Sequence, residues 1–364
     1  MIDYKKIENI LQCPITNEKV KYYEKYNDLG SINNMIDEIN YESAFVNESK
    51  TVLYPIKNNI AVFLPDYAIT SLDFKTNTDI LSVKSFYDNF GWKKSNDNKY
   101  NDNLLFVSQE SFSKKYLSQT TRRVNHFLQN NGEYLLDIAS GPVYQDEYKA
   151  FSNNFTHRIC IDISITALEE AQKNLKEQNA FYILGDITNI PLRNESCDNV
   201  ISMHTLYHVV KDRQMIGVKE LVRVCKTGAN IVIAYNWAWH SMLMNVVLLP
   251  KRTIQLFSRI KKTLFKTTRA KGRKTAMGLY FYSYSRRYFL KNKPVNTNIK
   301  FTVLKSLHQD FIQTYLKDNE RSRKFLDRIF KIENKYSSFF GRHGAYPLIV
   351  IEKLLPTKNK VIGN

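Results

Sequence analysis

The sequence predicts an α/β protein with a doubly wound parallel sheet. From residue 134 to about residue 235, short apolar runs alternate with amphipathic helical segments, which is the pattern of repeated strand–helix–strand units. The first run, Tyr134 to Val143 (YLLDIASGPV), contains an acidic residue that is followed by a turn of small residues. In open α/β sheets such a turn lies at the carboxyl edge of the strands, where ligands bind. We therefore expect the functional site to form around this turn.

Residues 1–68 are predicted to form a small α+β module. It has the motif LQCPI near its start and a predicted hairpin with strands Thr51 to Ile56 and Ile60 to Leu64. These motifs resemble the small zinc-ribbon-like domain that activates tRNA, ribosomal-RNA and release-factor methyltransferases. A structural zinc needs four ligands, usually in close pairs, but Thr16 stands where that domain has its second Cys. We therefore expect a packing or recognition module without zinc.

Residues 69–103 are polar and are predicted to form a linker, broken by the aromatic segment Ser85 to Trp92. This segment is expected either to lie over a bound cofactor or to pack the linker onto the next domain. That domain is predicted to cover residues 104–355, with an insert at about 241–297 and a tail over 356–364.

The main domain begins with a predicted helix within residues 104–130, which leads into the opening strand. Two more helices are predicted at about Thr166 to Gln178, with Ser164 as N-cap, and at about Asp212 to Val224. The further predicted strands are Arg158 to Ile163, Phe181 to Leu184, Asp198 to Met203, Asn230 to Tyr235, Phe301 to Leu307 and Tyr346 to Glu352.

The order of the short motifs is more specific than any one of them. LLDIASGP is followed by CIDIS, by GD, by a strand ending in MHTLYHV, and by ELVRVCKTGANIVIAYNW. This set resembles class I S-adenosylmethionine-dependent methyltransferases, closely over about residues 130–240 and in outline over 80–355. The resemblance implies a Rossmann-like seven-stranded sheet, S-adenosyl-L-methionine as cofactor, and methyl transfer as the reaction. An NAD-dependent enzyme is the alternative, which the absence of G-x-G-x-x-G disfavours.

The resemblance and the chemistry of the cofactor together assign the binding residues. Asp162 is expected to accept both ribose hydroxyls, since a carboxylate can take two hydrogen bonds. Asp137 is expected to serve the cofactor's ammonium group, directly or through water, and Asp186 the adenine amino group, although each Asp has the alternative role of a helix N-cap. The other predicted cofactor contacts lie in the same turns and are Ala139, Ser140, Gly141, Ile163, Ile187 and Met203.

The first turn departs from the family pattern D-x-G-x-G-x-G. Ala139 and Val143 stand at two of the three glycine positions, and Pro142 stiffens the chain between Gly141 and Val143. We expect this departure to alter the loop geometry more than cofactor binding.

Three residues after the fourth strand are predicted to serve catalysis: His204, Tyr207 and His208. His204 is the best candidate for a base or a substrate contact, although much of the rate of an in-line methyl transfer can come from positioning alone. The alternative is that His204 and His208 are packed histidines that hold the loop. Asn236, Trp237, Trp239 and His240 are expected on the substrate side, and no metal site is predicted.

Charge is concentrated in one part of the chain. Between Leu221 and Gln309 there are 18 Lys and Arg residues and no Asp or Glu, which equals the net charge of +18. Residues 251–274 have helical apolar spacing with basic residues between, and aromatics surround Arg286 and Arg287. This pattern favours an anionic membrane surface or RNA, with a solvated basic lid as the alternative.

We expect methyl transfer to a small-molecule, lipid-linked or glycan substrate. An RNA (tRNA or rRNA) methyltransferase and a non-catalytic cofactor-binding scaffold are the alternatives. Four widely spaced Cys and an N-terminus without an apolar signal core predict a cytoplasmic protein. Peripheral attachment at the inner membrane face is a further expectation.

Overall fold

The computed structural model describes residues 2–24, 43–70, 72, 81–92, 100, 111–249 and 279–355. Most of the predicted linker, the first part of the helix predicted within 104–130, the basic segment 251–274 and the tail 356–364 lie outside the described residues.

The strands of the described chain form one large sheet. In the sheet the strands follow the order β1-β2-β3-β4-β8-β7-β6-β9-β10-β12-β11, and β5 pairs with β3. Their bounds in chain order are β1 Val20–Glu24, β2 Ser43–Asn47, β3 Val52–Lys57, β4 Ile60–Val62, β5 Ile69–Thr70, β6 Gly132–Ile138, β7 Phe155–Asp162, β8 Ala180–Leu184, β9 Asn199–Met203, β10 Asn230–Ala234, β11 Thr297–Lys305 and β12 Tyr346–Lys353.

The centre of this sheet is doubly wound, as the sequence predicts. Strands β8, β7, β6, β9 and β10 are parallel, while β12 runs antiparallel to both β10 and β11. The chain order reverses between β6 and β9, and such a switch point opens a crevice at the carboxyl ends of the strands. All seven strands predicted for the main domain are present, with bounds that differ by a few residues.

The central strands are apolar because both faces of the sheet are covered. In β6, Leu135 belongs to one buried apolar cluster, whereas Leu136 and Ile138 belong to another on the opposite face. This alternation follows from the two-residue period of a strand, and the near-continuous apolar run is typical of parallel strands buried on both sides.

Helices and short turns fill the space between the strands. Ser164 caps the helix after β7 as predicted, because its Oγ accepts the Ala167 N–H at 3.2 Å. The helices are α1 Leu81–Phe86, α2 Lys114–Thr121, α3 Asp146–Lys149, α4 Ile165–Asn174, α5 Gln214–Val224, α6 Met242–Val247, α7 Arg286–Lys291, α8 Gln309–Tyr315, α9 Glu320–Lys335 and α10 Ser337–His343.

The N-terminal module extends the central sheet at its β8 edge. The predicted hairpin is confirmed as β3 and β4, which turn through Asn58 and Asn59, both with positive φ. Strand β4 then pairs in parallel with β8, and the Tyr4 hydroxyl donates to the Tyr182 carbonyl at 2.7 Å. The module therefore covers an edge whose backbone groups would otherwise lack strand partners.

The position of the motif LQCPI shows what its cysteine does in this fold. The Cys13 thiol is buried and lies 3.1 Å from the Tyr54 hydroxyl, and it accepts the Thr16 N–H at 3.3 Å. The thiol thus takes part in the hydrogen bonding inside the module. Strands β1 and β2 complete the module and were not predicted from the sequence.

Candidate active site

A cavity of about 660 Å³ opens at the carboxyl ends of the central strands. It is lined by the turn after β6, the ends of β7 and β9, the loop after β8, and residues that follow β10 and β11. Its size falls in the range of small-molecule and cofactor sites. The cavity lies at the switch point of the sheet, which is where the first sequence motif places a ligand.

Five residues in the cavity wall have the left-handed backbone conformation. They are Ala139 (φ 54°), Gly141 (φ 61°), Val143 (φ 43°), His204 (φ 61°) and Ala238 (φ 46°). Residues other than glycine seldom adopt such backbone angles, and non-glycine residues strained in this way cluster at functional sites. The loops around the cavity are therefore shaped at a cost in backbone free energy.

The structure shows how Val143 fits the first turn, where the family pattern has its third glycine. It takes up a positive φ that a glycine would adopt without strain, and its side chain is only 1% exposed. The side chain packs in the apolar cluster that includes Leu168 and Ala171 of α4. The added bulk therefore contributes to the core while the turn keeps its sharp path.

Asp162 is held rigidly at the end of β7. One carboxylate oxygen accepts the Gly141 N–H and the other accepts the Ser164 N–H, both at 2.9 Å. Burial raises the pKa of Asp162 to about 6. The backbone of the first turn is thus fastened to the carboxylate, which itself lines the cavity.

Asp137 does not reach the cavity, so its predicted role at the cofactor's ammonium group is not supported by this geometry. Its carboxylate is 3% exposed and pairs with the guanidinium of Arg158, which is also buried. Arg158 in turn donates to the Tyr148 carbonyl at 2.7 Å. The Asp137 carboxylate therefore forms a buried ion pair with a cation on β7, beneath the turn. The spacing of residues in the sequence did not reveal that pairing.

Asp186 lies in the loop after β8 and lines the cavity. The other predicted contacts that line the cavity, from this loop and from the ends of other strands, are Ser140, Ile163, Ile187 and Met203. The Asp186 carboxylate accepts the Thr188 N–H at 2.9 Å and the Thr188 hydroxyl at 2.6 Å, which is the pattern of a local cap. The guanidinium of Arg213 lies 3.8 Å away. The predicted adenine contact remains a prediction, since the structure brings the residue to the cavity and also gives it local partners.

The aromatic segment predicted within the linker covers the first turn. Tyr87 and Trp92 stack with ring centroids 5.1 Å apart, and both line the cavity. A Cβ on Gly141 would lie 3.2 Å from the Trp92 ring, so a larger residue would crowd the indole. Asp88 anchors the segment, because its carboxylate accepts the Ser164 hydroxyl at 2.5 Å.

His204 projects into the cavity from the loop after β9. Its ring meets the Tyr346 ring edge-on, with centroids 5.5 Å apart. Burial lowers the pKa of His204 to about 3, so its imidazole is neutral at pH 7 and is a weak proton acceptor. This side chain is better suited to orienting a substrate through a hydrogen bond than to removing a proton.

His208 and Tyr207 line the cavity but also hold the loop. The His208 Nδ1 donates to the Tyr280 carbonyl at 2.8 Å, and burial lowers the pKa of His208 to about 4. Tyr207 is 7% exposed and packs against Tyr235 and Phe281. These contacts agree with the alternative interpretation, in which these residues fasten the loop to the segment after the insert.

Sequence reasoning missed one wall of the cavity. Lys305, His308 and Tyr346 come from the last two strands and the turn after β11, and all three line the cavity. No motif marks them, because residues far apart in the chain meet only when β11 and β12 pair. Of the residues predicted after β10, Asn236 and Trp239 line the cavity, whereas Trp237 is buried in the core.

The cavity fits S-adenosylmethionine on three observations of this structure. The Asp162 carboxylate is fixed where a ribose diol can donate to it, and the sharp first turn at Gly141, with φ 61°, lines the same cavity. The indole N–H of Trp92 is buried and has no hydrogen-bond partner among the described residues. A buried donor of this kind calls for an acceptor from a ligand or water.

Comparison with known proteins agrees with this interpretation. The profile of a family described as "Methyltransferase domain" matches residues 136–233. The uncharacterised methyltransferase YdaC of Bacillus subtilis (strain 168) is 26% identical over 110 residues, which is 30% of this chain and 60% of YdaC. The match thus spans less than two thirds of that relative.

Solved structures of similar chains were also found. A chain from a complex between the Haloferax volcanii Trm112 methyltransferase activator and a protein assigned as a methyltransferase is 14% identical, with a TM-score of 0.43. That alignment covers 67% of this chain and 92% of the other. The DhpI–SAH complex is 12% identical with a TM-score of 0.44, and the alignment covers 77% and 99% of the two chains. At these values the likeness supports no inference about activity.

The fold and the matched family profile define the class. Residues 136–233 form the core of an S-adenosylmethionine-dependent methyltransferase domain with a Rossmann-like α/β fold. S-adenosylmethionine is the cofactor of this class, and the residues that would hold it are those around Asp162 and Gly141.

Proposed function

We propose that the protein catalyses methyl transfer from S-adenosylmethionine to a small-molecule or lipid-linked acceptor. The observation that supports this most is that one cavity is lined both by the turn after β6 with Asp162 and Asp186 and by His204, Lys305 and Tyr346. We assign the first group of residues to a donor chamber and the second group to an acceptor chamber. A methyltransferase needs this arrangement because donor and acceptor must meet end to end.

When bound, S-adenosylmethionine supplies an electrophilic methyl group, which an acceptor lone pair takes up while the S–CH₃ bonding electrons return to sulfur. The protein contributes by positioning. Asp162 and the first turn fix the donor, and the neutral His204 orients the acceptor. Tyr87 and Trp92 cover the donor chamber and limit the access of water. Alignment of reactants in this way accounts for a large part of catalysis in displacement reactions.

The walls of the acceptor chamber favour an apolar component in the substrate. Met244 and Leu248 line it, and they lie on or next to α6. The same stretch exposes large apolar side chains at its outer face: Trp239 (65%), Met242 (53%), Val246 (66%) and Leu249 (56%). A group of exposed apolar side chains beside a binding cavity is typical of a lipid or membrane contact. These features support a lipid-linked acceptor over a glycan.

The basic segment 251–274 follows this apolar stretch in the chain, outside the described residues. Its charge supports docking to an anionic membrane surface and equally supports the alternative of an RNA substrate. No described helix is both long and apolar enough to cross a bilayer. The basic charge of segment 251–274 is what supports our proposal of a peripheral site at the inner membrane face.

We also propose that the N-terminal module stabilises the catalytic domain in the way that a separate activator subunit would. The parallel pairing of β4 with β8 and the Tyr4–Tyr182 hydrogen bond support this role. The boundaries at residues 68 and 104 remain predictions.

The proposed function can be tested in two steps. Calorimetry should show that the full chain binds S-adenosylhomocysteine, and absence of binding would contradict the methyltransferase assignment. The chain is then incubated with cell extract and methyl-labelled S-adenosylmethionine, with Asp162→Ala as the inactive control. Label in the lipid or small-molecule fraction would support the proposal, whereas label in RNA would favour the alternative. Cofactor binding without transfer to any fraction would favour a scaffold.

A further inference from the structure

The acceptor chamber contains a cationic side chain, Lys305, that has no role in the proposed methyl transfer so far. Lys305 lies at the end of β11, opposite Tyr346, at a point where the pairing register shifts. Its ammonium nitrogen is 4.5 Å from the centroid of the Tyr346 ring. His204 meets this ring from the edge and His308 stacks on it at 5.6 Å, so the three basic side chains surround one tyrosine.

In the described part of the chain, no carboxylate oxygen lies within 4.0 Å of the Lys305 ammonium nitrogen. Glu333, a buried acid whose charge acts on Lys305, is already engaged. Its carboxylate accepts from the Arg123 guanidinium at 2.9 Å, and from the Tyr116 hydroxyl and the Ser306 N–H at 2.7 Å each. Glu333 therefore fixes the backbone beside Lys305, and its negative charge favours the ammonium form of Lys305 without forming an ion pair with it.

The groups facing Lys305 give its ammonium group no close counter-charge among the described residues. His204 is neutral at pH 7, Glu333 pairs with Arg123, and Asp310 is 57% exposed and lies 3.6 Å from His308. Burial lowers the pKa of Lys305 to about 8, so the ammonium form is present at pH 7 but is held there at a cost. An anion placed beside it would offset that cost.

The apolar wall of the chamber adjoins this cation. The sulfur of Met244 accepts the backbone N–H of His308 at 3.4 Å. Leu248 lines the same cavity. An apolar surface thus lies next to a half-buried ammonium group that has no ion-pair partner within 4.0 Å among the described residues. A ligand that fills both regions must combine an apolar portion with a negative group.

We infer that the acceptor is an amphiphilic anion, whose carboxylate or phosphate monoester binds Lys305 while its apolar portion lies against Met244 and Leu248. This inference rests on the proposed function, because it assigns the substrate class of the same cavity. Lys305 is a binding and specificity residue in this account. The methylated atom is not specified by the charge that Lys305 recognises.

The test uses the full chain saturated with S-adenosylhomocysteine and four probes with the same apolar portion. Octanoate, octyl phosphate, octanol and octylamine are titrated by calorimetry at pH 7. At least one anion should bind about tenfold or more tightly than octanol and octylamine, since a buried charge pair discriminates on this scale. Tight binding of octanoate points to a free carboxylate, and tight binding of octyl phosphate points to a phosphorylated head group.

Variants at one strand separate the role of Lys305 from general effects. Lys305→Met and Lys305→Gln should each weaken binding of the anion about tenfold or more and leave octanol unchanged, while Lys305→Arg should keep the preference. Lys300→Met, an exposed lysine on the same strand, is the matched control and should behave as the wild type.

The inference is overturned if octanol binds as tightly as both anions, or if neither anion binds up to about 10 mM. It is also overturned if the Lys305 variants keep the preference for anions. Binding of S-adenosylhomocysteine is measured in every variant. A failure of that binding in the wild type would instead contradict the proposed function, so the two failures can be told apart.

Discussion

Replacing Asp162 with Asn changes the carboxylate that holds the loop backbone at the cofactor site. In the wild type the two carboxylate oxygens accept the N–H groups of Gly141 and Ser164. An amide has only one acceptor oxygen, so its NH₂ group would face one of these N–H donors. The variant therefore loses one backbone hydrogen bond, and it loses the negative charge that a ribose diol would meet.

The expected loss can be worked from these contacts. A hydrogen bond to a charged acceptor contributes about 1.5–3 kcal/mol. In the variant both ribose hydroxyls would lose the charged acceptor, and two such losses at the lower end give about 3 kcal/mol, or about two orders of magnitude in affinity for S-adenosylhomocysteine. The overall fold should persist, because the rest of β7 keeps its pairing with β6 and β8.

The assay is calorimetric titration of S-adenosylhomocysteine at pH 7.5. Asp146→Asn is the control, since this carboxylate starts the helix after the same loop and its side chain is 93% exposed. The pH dependence adds a second readout. Burial raises the pKa of Asp162 to about 6, so affinity in the wild type should fall about tenfold per unit below pH 6 and should be flat in Asp162→Asn. A folded Asp162→Asn variant that binds within about threefold of the wild type would refute the reasoning.

Three further predictions concern stability, each measured by urea unfolding. Ala139→Gly should stabilise the protein by up to about 1 kcal/mol, because relief of the left-handed strain exceeds the entropy cost of glycine; clear destabilisation would contradict this. The folded pKa of His208 is depressed to about 4, so its contribution to stability is complete above about pH 6.5 and is lost as pH falls. Between pH 7 and pH 5, His208→Asn should therefore lose about 2 kcal/mol less than the wild type, and an equal loss would show that this histidine does not carry the effect. Tyr4→Phe should destabilise by about 1–3 kcal/mol because the carbonyl and N–H of Tyr182 lose a buried partner. The exposed control Tyr336→Phe should have little effect, and equal effects of the two would contradict the role of the module.

Much of the fold could be predicted from local pattern. The strands of the doubly wound core are short apolar runs bounded by polar turns, and β6 to β10 lie where these runs predict them. The Ser164 cap was predictable because capping depends on a side chain and a backbone N–H three residues away. Strands β1 and β2 were missed, whereas β3 and β4 of the same module were predicted because the Asn58-Asn59 turn marks their hairpin.

The site was predicted in part, and the failures share one cause. Asp162, Gly141 and Asp186 lie at the cavity because strand ends of a parallel sheet meet at one edge. Asp137 does not line the cavity, because the cation that binds it, Arg158, comes from the neighbouring strand, and its role at the cofactor's ammonium group stays a prediction. Lys305 was missed for the same kind of reason, since its place in the cavity depends on the pairing of β11 with β12.

The sequence by itself determined the order of the seven strands of the main domain, the first turn and the carboxylates that follow successive strands. These features depend on residues close together in the chain, so local periodicity and composition are enough to predict them. Only the tertiary structure decided which carboxylate faces the cavity, how Val143 fits a turn built for glycine, and which residues form the acceptor wall. Those outcomes depend on contacts between distant segments, and burial and charge pairing there are set by packing that no local pattern contains.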